Sequence, residues 1–365
     1  MVYRVIGLMS GSSLDGLDIA FVEFQENAGK WGYEIKAAEC YNYTEEWVNK
    51  LKNAISLNAL DYLLLHTEYG HYIGKQVNKF IDEKNLHYQV ALIASHGHTT
   101  FHIPVKKMTA QLGDGAAIAA ITQLPVVADL RVLDVALGGQ GAPIVPIGEK
   151  LLLGDYDYFL NLGGIANISL NAEKYIAFDV CPANRVLNML VNEKGKEFDD
   201  DGKIAAKGQI NLNLLEKLNT LDYYNQPYPK SLANDFGTDT VYPMIKDSSM
   251  STPDTLRTYV EHIAVQIKNA ITGLKNQKPK TTNHKLLATG GGAFNTFLVE
   301  RIKDQLKSLN IEVMVPSKEL VKYKESLIMA FIGILRWRQE YNVFSSVTGA
   351  ARDSIGGALW NGQDA

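Results

Sequence analysis

The sequence carries only two cysteines in 365 residues, Cys40 and Cys181, far apart and without CxxC or zinc-ligand spacing. That excludes a disulfide framework and suits a reducing compartment, so a cytoplasmic location is expected. No stretch approaches the ~18 uninterrupted apolar residues of a membrane-spanning helix. The opening residues, MVYRVIGLMSGSSLDG, hold an apolar run too short and too broken by Gly and Ser for a secretory leader. Charge of one sign is scarce as well. The formal net charge is −4 and no Lys/Arg block occurs, which leaves no electrostatic footprint for nucleic acid or anionic lipid. Neither GxxxxGK[ST] nor a GxGxxG opening a first βαβ unit is present, so two common phosphate-binding loops are excluded.

What remains is ordinary globular material, 46% apolar and 21% charged. The length exceeds what one hydrophobic core usually organises, so two domains are expected. Tyr3 to Met9, Asp18 to Phe24 and Tyr33 to Glu39 read as an antiparallel meander, its first turn running from Ser10 to Gly16. The layout returns at Tyr158 to Leu162, the turn Gly163 to Asn167, Ile168 to Leu170 and Tyr175 to Asp179, so one unit occurs twice. Between the two lie helical patterns, a strand from Val90 to Ala94 and a loop from Ser95 to Thr100. A polar stretch from Glu197 to Ser249 reads as an insertion over the site. A helix then opens with Thr252 as cap and Pro253 in its first turn, and Leu256, Val260, Ile263, Ile267, Ile271 and Leu274 share one face.

Lys285 to Thr289 reads as a strand that runs into Gly290-Gly291-Gly292 and a helix starting near Ala293. Strand, glycine turn and helix start together present backbone N–H groups and the positive end of a helix dipole to an anion. Gly-rich turns also let amides approach phosphate oxygens closely, because no Cβ intervenes. Any one such turn can equally be a plain tight turn. Three of them, two in matching units, could surround a triphosphate.

At these residues the sequence resembles the sugar kinase, Hsp70 and actin superfamily and, within it, the bacterial 1,6-anhydro-N-acetylmuramic acid kinases. The resemblance is carried by GLMSGSSLDGLD (Gly7 to Asp18), SHGHTTFHIP (Ser95 to Pro104), QLGDGAAIA (Gln111 to Ala119), PVVADLR (Pro125 to Arg131), GGQGAPIVP (Gly138 to Pro146), NLGGIANIS (Asn161 to Ser169), FDVCPAN (Phe178 to Asn184), TGGGAFN (Thr289 to Asn295) and SVTGA (Ser346 to Ala350), and it covers nearly the whole chain. It implies an α/β, duplicated RNase H-like (actin/sugar-kinase ATPase) fold with two domains around a central cleft. The expected boundaries are 1–124 plus 345–365 for one domain and 125–344 for the other, with the insertion at 197–249. The implied reaction uses ATP and Mg²⁺, adds water across the 1,6-anhydro bridge and phosphorylates the freed O6, serving recycling of cell-wall amino sugars. Homodimerisation is implied by the same analogy. A levoglucosan-like or other anhydrohexose kinase, or a nucleotide-gated sugar-binding protein without catalysis, is the alternative.

By this resemblance Asp179 is the general base, since water attacking an anomeric carbon must lose a proton. Gly11, Ser12, Ser13, Leu14, Asp15, Gly16, Leu17 and Asp18 would line the phosphates from one domain, and Gly163, Gly164 and Asn167 from the other. Gly290, Gly291, Gly292 and Asn295 would meet the nucleotide. Ser95, His96, His98, Arg131, Pro182 and Asn184 would meet the sugar. Asp15 either orients the metal's water shell or caps its turn; Arg131 either grips the lactyl carboxylate or serves a routine ion pair. Glu325 either supports the site or favours a helix N-terminus. The metal ligands are left unassigned, and zinc at the histidines is disfavoured because no carboxylate lies at ligand spacing. Cys181 and Ala183 stand where the family usually has glycines and His98 where it has Gln, changes expected to surround the sugar.

Overall fold

The computed structural model describes every residue except Ser12, Glu193, Lys194, Asn234, Lys280, Asp364 and Ala365. Its strands, in chain order, are β1 (Val2–Ser10), β2 (Gly16–Asn27), β3 (Lys30–Asn42), β4 (Leu92–Ile103), β5 (Met108–Leu112), β6 (Val126–Ala128), β7 (Tyr158–Leu162), β8 (Ile165–Leu170), β9 (Ile176–Pro182), β10 (Lys285–Thr289), β11 (Glu312–Met314) and β12 (Ala358–Trp360). Two compact units result, Met1–Leu153 with Tyr323–Ala365, and Gly154–Lys322.

The first unit's sheet has the order β12-β6-β4-β1-β2-β3, with β5 paired to β4; the second unit's is β11-β10-β7-β8-β9. In each, a three-strand antiparallel meander leads and a parallel strand joins the far side of its first strand. This shared order is the repeat that the strand pattern disclosed and the duplicated RNase H-like topology that the resemblance implied. Central β1 is buried on both faces through Val5, Ile6 and Leu8, as a strand covered by layers on each side must be. Helix Lys318–Trp337 lies directly on it: a Cβ on Gly7 would sit 1.9 Å from the Ser326 carbonyl oxygen.

The division differs from the expected boundaries of 124/125 and 344/345. Residues 125–153 stay with the first unit because β6 pairs in parallel with β4, Ile93 opposite Val126. Residues 323–344 stay there because their helix covers β1 and β4, Gly333 lying against Ala94. The 197–249 segment is less irregular than its composition suggests. It folds into short helices, Leu212–Asn219, Asp222–Asn225 and Tyr242–Lys246, and Leu214, Leu218, Val241 and Ile245 join the core beneath helix Thr252–Gly273. That helix is capped by Ser251, whose hydroxyl accepts from the Asp254 N–H, rather than by Thr252. Among the described residues no helix is long and apolar enough to cross a membrane.

Candidate active site

In the second unit, the expected residues converge at one end of the sheet. β7 and β10 run parallel and finish side by side, Asn161 opposite Thr289, and their turns carry Gly163-Gly164 and Gly290–Gly292. The carbonyls of Gly163 and Gly164 accept from the N–H groups of Asn184 and Ala183, at 3.1 and 2.8 Å, so the first turn is tied to the start of helix Asn184–Asn192. Asn184 also donates from Nδ2 to the Leu162 carbonyl at 2.8 Å.

The glycines divide by what a side chain would meet. A Cβ on Gly290 would lie 2.5 Å from Asn161 Oδ1, its φ is +81°, and one on Gly292 would lie 2.8 Å from Leu162 Cβ, so internal packing requires both glycines. On Gly164 or Gly291 the nearest atoms would be 3.7 and 3.8 Å away, ordinary contact. Among the described residues nothing needs glycine there. Open backbone of this kind is what a phosphate-binding turn offers, and a Cβ would fill the approach to it.

Asp179 stands on β9 opposite Asn167, at a register shift between Ala166 and Asn167 that turns the two side chains together. Asn167 donates from Nδ2 to Asp179 Oδ1, and Asn161 donates in turn to Asn167 Oδ1 at 3.3 Å. Expected at the phosphates, Asn167 thus holds the carboxylate. Two further donors reach Asp179 Oδ2: Ser231 Oγ at 3.1 Å and the Leu232 N–H at 2.8 Å. Sequence reading missed both, since neither lies near Asp179 in the chain and neither belongs to a glycine turn.

Asn295 caps helix Thr296–Leu306, accepting from the Leu298 N–H at 3.0 Å, and a 3₁₀ turn over Gly291–Phe294 precedes it. The helix therefore starts later than Ala293. Pro182 turns inward, its carbonyl accepting from Tyr259 at 2.8 Å. Cys181 and Ala183 are fully buried in the unit's core. Their added atoms pack within that core. Burial also raises the Cys181 thiol pKa well above its ordinary value.

In the first unit the turn between β1 and β2 exposes Ser13 and Asp15, half-buries Gly11 and holds Leu14 at φ 60°, and Asp18, on β2 opposite Met9, is half-buried. A left-handed leucine is strained backbone at the place where phosphate contacts are expected. Gly16 is required by strand pairing, a Cβ there lying 2.6 Å from the Tyr41 carbonyl oxygen, and Leu17 is core. Gly11 is not so required, its nearest neighbour being Ser13 Oγ at 3.4 Å. Ser12 lies outside the described residues.

Ser95, His96 and His98 are part of β4, not of a loop. β4 continues to Ile103 and pairs with β5, a hairpin concealed by its polar composition. Ser10 lies opposite His98, and its hydroxyl, which accepts from Tyr43 at 2.8 Å, shares a hydrogen bond with His98 Nδ1 at 3.1 Å. Burial lowers the His98 pKa, so the ring is neutral. His96 Nδ1–H donates to the Gly97 carbonyl at 2.8 Å and its Nε2 accepts from Arg131 Nε at 2.7 Å. Arg131 Nη1 donates to the Gly141 carbonyl at 2.5 Å. With Nε and one Nη1 hydrogen so engaged, the second Nη1–H and both Nη2–H groups are left for a ligand. Burial lowers its pKa to about 10, opposed by the charges of Glu325 and Asp134, and it stays a cation at neutral pH. Glu325 is exposed on its helix.

The Gly138 to Pro146 loop is fixed by fully buried Asp134, which accepts from the Gly141 N–H at 2.8 Å and the Thr348 hydroxyl at 2.7 Å. Ser95 Oγ, on a residue 1% exposed, has no hydrogen-bond partner among the described residues. A buried unmet hydroxyl costs about 1–3 kcal/mol, which a ligand's hydroxyl would recover. Among the described residues no group of three or more His, Cys, Asp or Glu could hold a metal ion by itself.

A family model described as anhydro-N-acetylmuramic acid kinase matches residues 3–362. The chain is 32% identical over 374 residues to the anhydro-N-acetylmuramic acid kinase of Sulfurovum sp. (strain NBC37-1), covering 98% of this chain and 99% of that one. It is 34% identical over 374 residues to that of Xylella fastidiosa (strain Temecula1 / ATCC 700964), covering 97% and 95%. Among solved structures, component A of (R)-2-hydroxyglutaryl-CoA dehydratase from Acidaminococcus fermentans aligns over 91% of this chain and 97% of its own, at 12% identity and a TM-score of 0.47. With the family match running almost from end to end, the chain belongs to the anhydro-N-acetylmuramic acid kinase family.

Proposed function

We propose that the protein is an ATP-dependent kinase that adds water across the 1,6-anhydro bridge of 1,6-anhydro-N-acetylmuramic acid and phosphorylates the freed O6, giving N-acetylmuramic acid 6-phosphate and ADP. The observation that carries this reading is Asp179, a carboxylate fixed by three donors beside glycine turns that packing leaves open. Bound nucleotide supplies the γ-phosphoryl group, and Mg²⁺ bound with it offsets phosphate charge, Asp15 and Asp18 serving its water shell.

Asp179 takes the proton of the attacking water as the C1–O6 bond breaks, and a base so placed contributes about 10²–10⁴-fold. The amides of Gly11, Gly163, Gly164 and Gly291 donate to phosphate oxygens. Ser95 Oγ and the His98 ring serve sugar hydroxyls, and the remaining Arg131 N–H groups serve the lactyl carboxylate, with Glu325 favouring the Arg131 charge. The test is ADP release with 1,6-anhydro-N-acetylmuramic acid, levoglucosan, free N-acetylmuramic acid and glucose. The muramic anhydrosugar should be the best substrate by kcat/KM. Equal turnover of free N-acetylmuramic acid would refute hydrolytic ring opening, and preference for levoglucosan would reassign the sugar.

A further inference from the structure

We propose that Ser231 is a positioning residue for this reaction, the tip of a clamp formed by residues 223–232 that sets the Asp179 carboxylate; the proposal rests on reading Asp179 as the base. β9 is the outer strand of its sheet, so one edge of its backbone has no strand partner. At Asp179 the clamp takes that place. The Asp179 N–H donates to the Lys230 carbonyl at 3.3 Å and the Tyr223 hydroxyl donates to the Asp179 carbonyl at 2.7 Å. Both main-chain groups of the residue bearing the carboxylate are thereby held by one segment.

The clamp is itself braced. Lys230 Nζ donates to the carbonyls of Tyr223 and Tyr224 at 3.1 and 3.4 Å, closing the segment on itself, and lies 4.6 Å from the centre of the Tyr223 ring. Tyr228 stacks on Phe178, the residue before Asp179, with ring centres 5.8 Å apart. From this base Ser231 Oγ–H and Leu232 N–H both reach Oδ2, while Asn167 reaches Oδ1.

The count of acceptor sites follows. A carboxylate offers about four lone pairs, two on each oxygen. Oδ2 accepts two hydrogen bonds and is filled; Oδ1 accepts one. The proton leaving water therefore goes to Oδ1, and the clamp's role is to hold Oδ2 so that Oδ1 keeps one orientation. Ser231 is exposed, so loss of its hydroxyl leaves the core intact.

Steady-state kinetics of wild type, Ser231→Ala, Ser231→Thr and Asp179→Asn test this, each with a melting curve. Ser231→Ala should lower kcat about tenfold with both KM values within about twofold, and Ser231→Thr, which keeps the donor, should recover to within about threefold. Melting temperatures of both Ser231 variants should match wild type. A wild-type kcat for Ser231→Ala, a rise confined to KM, a loss tracking a lowered melting temperature, or failure of Thr to rescue each overturns the clamp. Those outcomes leave the base reading standing as long as Asp179→Asn is inactive; full activity of Asp179→Asn would remove the base itself.

Discussion

Arg131 and His96 are joined by a hydrogen bond of 2.7 Å in which the guanidinium Nε–H donates to imidazole Nε2. A donor that is always charged, aimed at that nitrogen, forbids its protonation. Burial and the Arg131 charge push the His96 pKa down to about 3.

In the second unit, burial pushes His262 to about 3 as well; its Nδ1 faces Asn219 Oδ1 at 2.7 Å and its Nε2 the Tyr224 hydroxyl at 3.0 Å. Between pH 6.5 and about 3 the unfolded chain binds protons at both positions that the folded chain refuses. Stability present above pH 6.5 is therefore lost as pH falls, by about 1.4 kcal/mol per pH unit per histidine. Urea unfolding at pH 7.5, 6 and 5 should show this decline, and His262→Gln should make it shallower. A flat profile across that range would contradict it.

With Asp179 as the proposed base for water, replacing it by Asn should lower kcat by about 10²–10⁴-fold while KM for ATP stays within about threefold. Initial rates of ADP release with the muramic anhydrosugar measure both quantities.

Gly164→Ala and Gly290→Ala should separate ligand binding from folding. At Gly164 the new Cβ meets nothing closer than 3.7 Å, so the variant should melt as wild type yet bind an ATP analogue about tenfold more weakly. At Gly290 the positive φ alone costs about 1–2 kcal/mol and the contacts with Asn161 and Leu162 add to it, so that variant should melt earlier. Calorimetry of binding and of unfolding read the two effects; identical behaviour of the pair would undo the distinction.

Replacing a core residue of the segment after Asp179 by glycine, Cys181→Gly or Ala183→Gly, should destabilise the protein by about 1–2 kcal/mol, through lost packing and added backbone freedom. The ratio of kcat/KM between the muramic anhydrosugar and levoglucosan should stay put. A changed ratio would place those side chains nearer the sugar than their burial allows.

Much was legible without coordinates. Alternation in Asp18 to Phe24 marked a strand, and repetition of the meander disclosed the duplicated topology, because strand pairing follows from local pattern and short turns. Asp179 stood out as the carboxylate at the end of the second meander. The β4–β5 hairpin was hidden, since His96, His98 and Thr99 carry none of the apolar alternation that signals a strand, and only pairing with Met108–Leu112 makes it one. The boundaries shifted for a similar reason: β6 is three residues long, and only its partner β4 says which sheet it joins.

The sequence by itself determined the family, the repeated unit and the residue types available for chemistry, since these are properties of order along the chain. Tertiary structure alone decided which glycines are open and which are packed, that Cys181 and Ala183 are buried in the core, that Arg131 is tied to His96 and Gly141, and that Ser231 reaches Asp179 across 52 positions. Each of these depends on the direction of a side chain and the distance to a remote neighbour. Those quantities come into being only when strands pair and helices settle on them.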